Sequence, residues 1–367
     1  MYAPRPDGLN ADCDREEVGA AAVLPPLRAY RRRAHVWRAG RAAGATEVCP
    51  GRRDNRPVPI KLVLILSENW TLSPPRDLRA LVRFAVEAEE AGFDGVMVSE
   101  HVVLGPGADS EGVPANPRDY ALVGNQDPAT PWPNSIVLLS AVAAATTRLR
   151  LIASAIIAPL RHPLLLAKEL ATLDLLSEGR LVVQPTVSWH RPEYEALGVP
   201  FERRGRLLDE HLAAWKVLWR DTPATYAGEQ YAYTDAYLEP KPSRPGGPTL
   251  WFGGASLHER LLARLVRYGH GFNPIGTPTD EELDRLGVAL KDAGRDPSEL
   301  ELVGGTRGSF PDAASVADLG RALASIPAQV ERGFTTICIK PSQFTDNPAA
   351  VGPLCSEIVA RVAALGR

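Results

Sequence analysis

The most constraining feature of this chain is a regular alternation of short apolar strands and amphipathic helices that begins near Lys61 and continues towards the C-terminus. The first unit is the apolar strand IKLVLIL (60–66) followed by a helix over 76–92 that ends at Gly92. Eight such units follow one another. Parallel strands joined by right-handed helical crossovers close into a barrel at that number. The pattern therefore predicts an α/β fold, a (β/α)8 TIM barrel, over residues 60–367.

The units keep the same order throughout. The predicted strands are 60–66, 95–99, 148–157, 180–186, 249–254, 269–275, 299–306 and 333–340, and the predicted helices are 76–92, 134–147, 163–179, 201–219, 256–269, 280–293, 314–332 and 348–365. Aromatic and polar residues alternate around Gly228 over 225–248, which predicts a small hairpin inserted before the fifth strand. A doubly wound sheet is the alternative, but it would place a glycine-rich phosphate turn where this chain has SENWTLSPP.

Residues 1–59 differ in composition from the rest of the chain. They are rich in Arg, Ala, Gly and Pro and show no strand or helix period. Because such a segment buries too little apolar surface to offset the entropy of ordering, we expect a disordered N-terminal extension. The RRR cluster at 31–33 could contact an anionic partner, but acidic residues lie nearby. A solvated tail without a catalytic role is the simpler interpretation.

The composition excludes several classes of protein. The 41 basic and 44 acidic residues nearly cancel, whereas nucleic-acid binders usually have a basic excess. The four cysteines form no CxxC pair, which argues against a disulfide scaffold and against a zinc site. No apolar run approaches the roughly 18 residues of a membrane helix, and the N-terminus has no apolar signal core. We therefore expect a cytoplasmic protein that does not bind nucleic acid or span a membrane.

The carboxyl ends of the strands are where a barrel of this type places its chemistry. The second predicted strand ends in Ser99, Glu100 and His101, so that an acid and an imidazole emerge side by side. A solvated strand end without chemistry is the alternative. The third strand ends in small residues ahead of Arg161 and His162. Small residues either let a flat ligand approach the backbone or simply allow close packing.

The fourth strand runs into a polar, aromatic loop. Its candidate side chains are Gln184, Thr186, Ser188, Trp189 and His190. For the last two residues the alternatives are a tryptophan that caps the barrel and a histidine that bonds to a loop carbonyl. The polar character of the loop nevertheless favours a ligand-binding role, because the turns that leave the strands at this end are free to vary.

The fifth strand ends in a glycine pair at the predicted start of a helix, Gly253 and Gly254, followed by Ala255 and Ser256. Free N–H groups, close approach to glycine and the positive end of the helix dipole together predict a phosphate site. An apolar and aromatic wall with one exposed histidine adds to this pattern. It favours a bound organic cofactor that carries a phosphate.

Two other barrel chemistries fit less well. An amidohydrolase would place an HxH pair after its first strand to hold a metal ion, and that strand has no histidine. A retaining glycosidase needs two carboxylates about 5 Å apart, and apart from Glu100 strands four and seven end without an obvious acid. The histidines are scattered along the sequence, so we predict no metal site.

Five segments taken together resemble the bacterial luciferase-like monooxygenase superfamily, whose members use FMN or the deazaflavin F420. The matching segments are GFDGVMVSEHV (92–102), DPATPWPNSIVLLSAVAAATTRLRL (127–151), LRHPLLLAKELATLDLLSEGRL (160–181), SWHRPEYEALGVPFERRGRLLDE (188–210) and LWFGGAS (250–256). They occur in the family's order and spacing. Some details resemble the F420-using branch, which makes F420 the first choice of cofactor and FMN the second.

The resemblance implies roles for residues at matching positions. His101 would lie near the reactive face of the cofactor as an acid, base or orienting group, with Glu100 as its neighbour. A non-prolyl cis peptide at Ser154–Ala155 would support the ring. The cofactor-binding residues would be Ser154, Ala155, Gln184, Thr186, Ser188, Gly253, Gly254, Ala255 and Ser256, and the substrate side would be shaped by Trp70, Trp189 and His190.

The fourth strand departs from the family pattern. Relatives read Gly-x-Gly-x-Gly-Trp there, whereas this chain has Gln184, Thr186 and Ser188 at the glycine positions. The added side chains must narrow the barrel mouth or provide new hydrogen bonds to cofactor or substrate. His270 stands where relatives commonly have Asp before a glycine.

The resemblance implies an oxidoreductase. With F420 it would transfer a hydride to or from a small organic substrate, and with reduced FMN it would act as a monooxygenase. The implied protein partner is a flavin or F420 reductase. The loop 102–133, rich in Gly and Pro, is the candidate lid. A flavin-binding barrel without turnover, or one subunit of a two-component system, is the alternative that the altered fourth strand suggests. The family resemblance also implies a homodimer.

Overall fold

The computed structural model describes residues 59–365 of the chain. The strands are β1 (Lys61–Ile65), β2 (Gly95–Val98), β3 (Arg150–Ile157), β4 (Leu181–Thr186), β5 (Ala224–Ala227), β6 (Ala232–Ala236), β7 (Thr249–Phe252), β8 (Gly271–Phe272), β9 (Glu301–Gly305) and β10 (Phe334–Ile339). The helices are α1 (Leu78–Ala91), α2 (Ser135–Ala145), α3 (Pro163–Leu176), α4 (Arg191–Ala196), α5 (Arg204–Arg220), α6 (Glu259–Tyr268), α7 (Asp280–Asp292), α8 (Leu319–Leu323), α9 (Ile326–Glu331) and α10 (Val351–Leu365). The predicted N-terminal extension lies outside the described residues except for Pro59.

Eight parallel strands form a closed barrel in the order β1-β10-β9-β8-β7-β4-β3-β2. Strands β5 and β6 pair separately as an antiparallel hairpin before β7. Both the predicted barrel and the predicted hairpin are confirmed.

Strands and helices are packed in two apolar layers. Inside the barrel a compact cluster fills the axis, made of Val63, Ile65, Met97, Ile152, Val182, Trp251, Val303 and Cys338. A larger layer lies between the strands and the surrounding helices. Because side chains alternate along a strand, every barrel strand except the two-residue β8 contributes to both layers, and most of these strands read as nearly continuous apolar runs.

Local sequence signals account for several helix ends. The side chain of Asn134 accepts a hydrogen bond from the Val137 amide at the start of α2. Pro163 occupies the first turn of α3, and Gly92 adopts a left-handed conformation (φ 103°) after α1. These are the capping arrangements that the residue types favour.

Three elements differ from the prediction. A short helix, α4, follows the loop after β4, with Pro192 in its first turn. The helix predicted over 314–332 is two short helices, and α9 begins afresh with Pro327 in its first turn. Helix α6 begins at Glu259, capped by the side chain of His258, so that Ser256 lies before the helix and not in its first turn.

The amino-terminal end of the barrel is closed by an ion-pair network. Arg150 donates two hydrogen bonds to the carboxylate of Glu301, and Lys61 adds a third at 3.2 Å. The Arg150 guanidinium also lies over the Trp251 ring, 5.0 Å from its centroid. The charged residues at this end of the barrel therefore stabilise the fold, and the candidate active site lies at the opposite, carboxyl end.

One helical stretch within residues 59–365, Pro348–Leu365, is long and apolar enough by composition to cross a membrane. In this fold it contains α10, whose buried face includes Val351, Leu354 and Ile358. The same helix packs against α1 as part of the barrel's outer ring.

Candidate active site

His101 leaves the end of β2 and lies at the mouth of the barrel. Its Nδ1 is 3.3 Å from Oε2 of Glu193, and its side chain is 9% exposed. Its Nε2 makes no hydrogen bond to any residue between 59 and 365. The edges of Trp132 and Trp189 meet the imidazole at centroid distances of 5.3 and 6.0 Å. The imidazole is thus held at Nδ1, whereas its Nε2 is available to a ligand.

Glu193, in the first turn of α4, organises this part of the mouth. Its fully buried carboxylate accepts hydrogen bonds from the amides of Val102 and Val103, at 2.5 and 3.3 Å. The Ser188 hydroxyl lies 3.4 Å from the same carboxylate. The helix that carries Glu193 was not predicted, and the partnership with His101 was missed. The signal in the sequence was a glutamate in the loop after β4, and that signal does not identify His101 as its partner.

Ser188 has a backbone φ of 58°, in the left-handed region that favours glycine. This position is one of the three on β4 and its loop where relatives have glycine. The serine hydroxyl also lies 3.4 Å from the His190 amide. The backbone conformation explains the family's glycine, and the hydrogen bonds show what this chain gains from serine.

Glu100 does not face the mouth. Its buried carboxylate receives two hydrogen bonds from Arg161, at 2.7 and 3.1 Å, and one from the Ser135 hydroxyl at 2.7 Å. Glu100 is therefore engaged with Arg161 and Ser135, and its predicted role beside His101 stays a prediction. Alternation along the strand turns Glu100 towards the helices, where it ties β2 to α2 and to the turn after β3.

His190 contacts the start of the 102–133 loop. It is buried, and its Nε2 accepts a hydrogen bond of 2.8 Å from the Gly105 amide. Burial lowers the pKa of His190, which favours the neutral ring that this acceptor role requires. The structure thus gives His190 an anchoring contact at the start of the 102–133 loop, and its predicted substrate role stays a prediction.

Polar side chains from three strands meet on one side of the mouth. The Ser154–Ala155 peptide is cis, as the resemblance implied. The Ser154 hydroxyl donates to Oε1 of Gln184 at 2.9 Å, and the Asn273 side-chain amide donates to the same oxygen at 2.8 Å. Asn273, just after β8, was not predicted. Thr186 is half-buried at the end of β4. Gln184 therefore fills the space that a glycine would leave and joins β3, β4 and β8.

The two glycines after β7, Gly253 and Gly254, differ in how closely the rest of the structure approaches them. A Cβ atom on Gly253 would lie 1.9 Å from the carbonyl oxygen of Asn273, so close approach of a neighbouring strand requires glycine there. A Cβ on Gly254 would lie 3.2 Å from the end of the Leu261 side chain and 3.6 Å from the Ser256 carbonyl oxygen, an ordinary contact distance. Gly253 was interpreted from the sequence as part of a phosphate site, but the packing of the barrel itself requires a glycine at this position.

The residues after the glycine pair remain open to solvent. Ala255 and Ser256 are exposed, and neither amide donates a hydrogen bond to a residue in the described part of the chain. The next amide, that of Leu257, donates to Glu282 at 2.8 Å. This segment therefore offers an anion two free amides, but not the helix dipole that was predicted directly behind them.

The sequence did not predict a second cluster of polar side chains at the mouth, which contains Lys340 and Glu68. Lys340, directly after β10, is fully buried, and its Nζ donates to the backbone carbonyl of Asp119 at 2.9 Å. Glu68, after β1, accepts a hydrogen bond from the Ala121 amide at 3.2 Å. Burial raises the pKa of Glu68, and the charge of Lys340 opposes this. A lysine that ends the apolar strand TTICI was a signal in the sequence.

The predicted lid, loop 102–133, is held against the far side of the barrel. Arg118 forms a two-bond ion pair with Asp346, and Arg307 forms another with Asp119. Tyr120 reaches from this loop onto the cluster inside the barrel. The loop therefore covers the mouth in this structure.

The tryptophans at the mouth include two with buried, unsatisfied indole N–H groups, Trp70 and Trp132, counted among the described residues. Trp70 is half-buried after β1 and packs against the layer between strands and helices. Trp189 packs its edge against His101 and against His190, at a centroid distance of 4.9 Å from the second. Buried donors without acceptors are costly, and a bound ligand is one way to satisfy them.

A closed barrel of eight parallel strands with its polar side chains gathered at the carboxyl ends belongs to the class of (β/α)8 barrels, which bind their ligands at that end. The sequence profile of the luciferase-like monooxygenase family matches residues 62–318. The chain is a member of this family.

Comparison with individual proteins agrees with that assignment. An uncharacterised protein of Mycobacterium tuberculosis is 39% identical over 171 residues, which are 45% of this chain and 57% of the relative. The FMNH(2)-dependent dimethylsulfone monooxygenase of Pseudomonas putida is 29% identical over 50% of this chain and 46% of its own length. The matched regions thus span about half the length of these relatives.

Solved structures share the fold at low sequence identity. An F420-dependent secondary alcohol dehydrogenase, solved with an F420–acetone adduct, superposes with a TM-score of 0.62 and 16% identity, over 83% of this chain and 99% of the other. The monooxygenase RslO1 from Streptomyces bottropensis gives 0.59 and 19%, over 81% and 98%. At these identities the comparisons establish the barrel alone.

Proposed function

We propose that this protein is an oxidoreductase that uses F420 to transfer a hydride to or from a small organic substrate such as an alcohol, enone or imine. The observation that carries the proposal is the state of His101, whose Nδ1 faces the Glu193 carboxylate while Nε2 has no partner within residues 59–365. A carboxylate that accepts from Nδ1–H fixes the tautomer in which Nε2 is a base. An alcohol can lose a hydride only if its hydroxyl proton is also removed, and Nε2 would accept that proton.

The residues at the mouth fit a (deaza)flavin. The exposed Ala255 and Ser256 amides would hold its phosphate, with Gly254 allowing close approach. The cis Ser154–Ala155 segment and the Gln184 amide would support the ring. When bound, a deazaflavin supplies or accepts the hydride, whereas reduced FMN supplies the electrons for oxygen activation.

The chain's own residues bind, orient and exclude water. Glu193 orients His101, and Ser188 and two loop amides in turn hold Glu193. Trp132 and Trp189 pack on the imidazole and keep solvent from it. The 102–133 loop acts as the lid whose opening admits the substrate.

FMN is the second choice of cofactor, and its use would require a flavin reductase as a partner. A third possibility is a flavin-binding barrel without turnover, or one subunit of a two-component system. The observation that favours it is the filled mouth, since Gln184 and Tyr120 occupy space above the barrel interior. A bound cofactor that no acceptor can reoxidise would identify this case.

We also propose a homodimer in the cytoplasm. Helices α2 and α3 lie side by side and present large exposed apolar side chains, Val137 at 70%, Leu165 at 65% and Leu176 at 61% exposure. An apolar surface of this kind suits an interface between two copies.

Replacement of His101 by Ala tests the proposed function. Turnover of an F420-coupled alcohol should fall by about 10²–10⁴-fold, the usual contribution of a general base. The dissociation constant for F420 should change by less than about twofold, because the fold and the cradle stay intact. Equal turnover in wild type and variant would remove His101 from the chemistry.

A further inference from the structure

Lys340 is a buried cation without an ionic contact. It is 0% exposed, and no carboxylate oxygen lies within 4.0 Å of its Nζ among residues 59–365. An ammonium group has three donors, and only one is used, on the Asp119 carbonyl. Buried charges are normally paired, so an unpaired one at the mouth of a barrel indicates a missing anionic partner.

The side chain lies on the inner face of the barrel. Cys338, two residues earlier on β10, belongs to the interior cluster, and alternation places Lys340 on the same face above it. Glu68 is close enough to interact electrostatically with Lys340 but makes no direct contact. Asp119 commits its carboxylate to Arg307. Neither acid therefore pairs with the lysine.

Tyr120 fills the space next to Lys340. Its ring packs on the interior cluster, its hydroxyl donates to the Thr306 carbonyl at 3.3 Å, and the Lys340 Nζ lies 5.4 Å from its centroid. A planar ring and a carbonyl oxygen thus sit together on the barrel axis, both supplied by the loop. Together, the Tyr120 ring and the Asp119 carbonyl have the shape and chemistry of an aromatic ring with an oxygen-bearing substituent.

The loop that supplies them is attached at its start to the buried Glu193 and His190, and near Tyr120 it makes further contacts. Asp346 is 43% and Arg307 is 59% exposed, which weakens these ion pairs, but Arg118 is buried and donates two hydrogen bonds to Asp346. Asn116 adds two hydrogen bonds to backbone carbonyls of residues 312 and 315. Opening of the segment around Asp119 and Tyr120 breaks these contacts and exposes Lys340, while Glu193 and His190 hold the start of the loop.

We propose that Tyr120 and the Asp119 carbonyl occupy the substrate's place, and that Lys340 binds the carboxylate of a planar, apolar acid when the loop opens. The inference rests on the proposed function and names its substrate class. The ring of the acid takes the position of the Tyr120 ring on the interior cluster. Its carboxylate replaces the Asp119 carbonyl and uses the remaining donors of Lys340.

Calorimetric titration with benzoate and its neutral analogue benzamide tests this inference on the full chain without cofactor. Tyr120→Ala should bind benzoate at least about tenfold more tightly than wild type does, and about tenfold more tightly than it binds benzamide. Adding Lys340→Met should abolish the preference for benzoate. Lys216→Met is the matched control, because that partly buried lysine also donates to a carbonyl, of Gly246, away from the mouth.

Equal affinity of Tyr120→Ala for benzoate and benzamide would overturn the inference, as would a preference that survives Lys340→Met. If the double variant fails to fold, the comparison of the two ligands on Tyr120→Ala decides alone. Failure of F420 and FMN to bind, with the benzoate preference intact, would overturn the proposed function and leave the anion site in place.

Discussion

The Nδ1 atom of His101 lies 3.3 Å from the Glu193 carboxylate, although the two residues are 92 positions apart in the sequence. The first leaves β2 and the second begins a short helix after β4, with β3 between the two strands in the barrel. The same carboxylate binds the amides of Val102 and Val103, directly after the histidine. One buried acid therefore fixes both the imidazole and the start of the lid.

Replacing Glu193 by Ala should destabilise the fold by about 2–4 kcal/mol, because two backbone amides and a histidine lose a buried acceptor. Urea unfolding measures the change. The control is Glu195→Ala on the same helix, where the side chain is exposed and the change should stay within about 0.5 kcal/mol. Equal effects of the two substitutions would argue against a central role for the carboxylate.

The two glycines after β7 should respond differently to the same substitution. Gly253→Ala places a Cβ 1.9 Å from the Asn273 carbonyl oxygen and should cost about 3 kcal/mol. Gly254→Ala makes its closest contact with a flexible leucine end and should cost about 1 kcal/mol or less, while weakening cofactor binding. Thermal unfolding with and without F420 separates the effects. A Gly253→Ala protein as stable as wild type would contradict the packing explanation.

Acid should weaken the closed end of the barrel through Glu301. Burial alone would raise its pKa, but the hydrogen bonds and charge of Arg150, with Thr336 and Lys61, outweigh burial and lower the pKa to about 2. A lowered carboxyl pKa stabilises the fold above the unfolded pKa, near 4.5, and that stabilisation is lost as pH falls from there towards 2.

The size of this effect is at most about 3 kcal/mol. Glu301→Gln should therefore be less stable than wild type at pH 7, and the difference should shrink between pH 4.5 and 2. Denaturant unfolding at a series of pH values measures it. A constant difference across that window would show that the carboxylate's charge does not carry the stabilisation.

The proposed dimer makes a prediction that does not depend on catalysis. Val137→Glu, at the most exposed apolar position of α2, should turn a dimer into a monomer in sedimentation equilibrium, because it places a charge inside an apolar interface. Val288→Glu on α7, 58% exposed and distant in the barrel order, is the matched control. A wild-type monomer, or equal effects of both variants, would exclude α2 as the interface.

The sequence predicted those features that depend on neighbouring residues. Apolar runs located the barrel strands, and Asn134, Pro163 and Gly92 marked helix ends correctly. The position of His101 at the carboxyl end of β2 also followed from local pattern. Such signals are read within a few residues of the feature they specify.

The direction and partners of side chains were not accessible in the same way. Glu100 and His101 are adjacent, yet one turns towards the helices and the other towards the mouth. Lys340 meets a loop more than two hundred residues earlier in the chain. Such contacts depend on strand register and loop path, which a single sequence does not state. For the same reason Gly253 was read as a ligand site before the approach of Asn273 was visible.

The most direct test is a fluorescence titration of the purified protein, with and without residues 1–59, against F420 and FMN in parallel. The account predicts saturable binding of F420 with a dissociation constant of about 1 μM or below, equivalent to about 8 kcal/mol, and weaker binding of FMN. Preference for FMN would move the function to monooxygenation with a partner reductase. Binding of neither compound would contradict the assignment of the barrel mouth as a cofactor site.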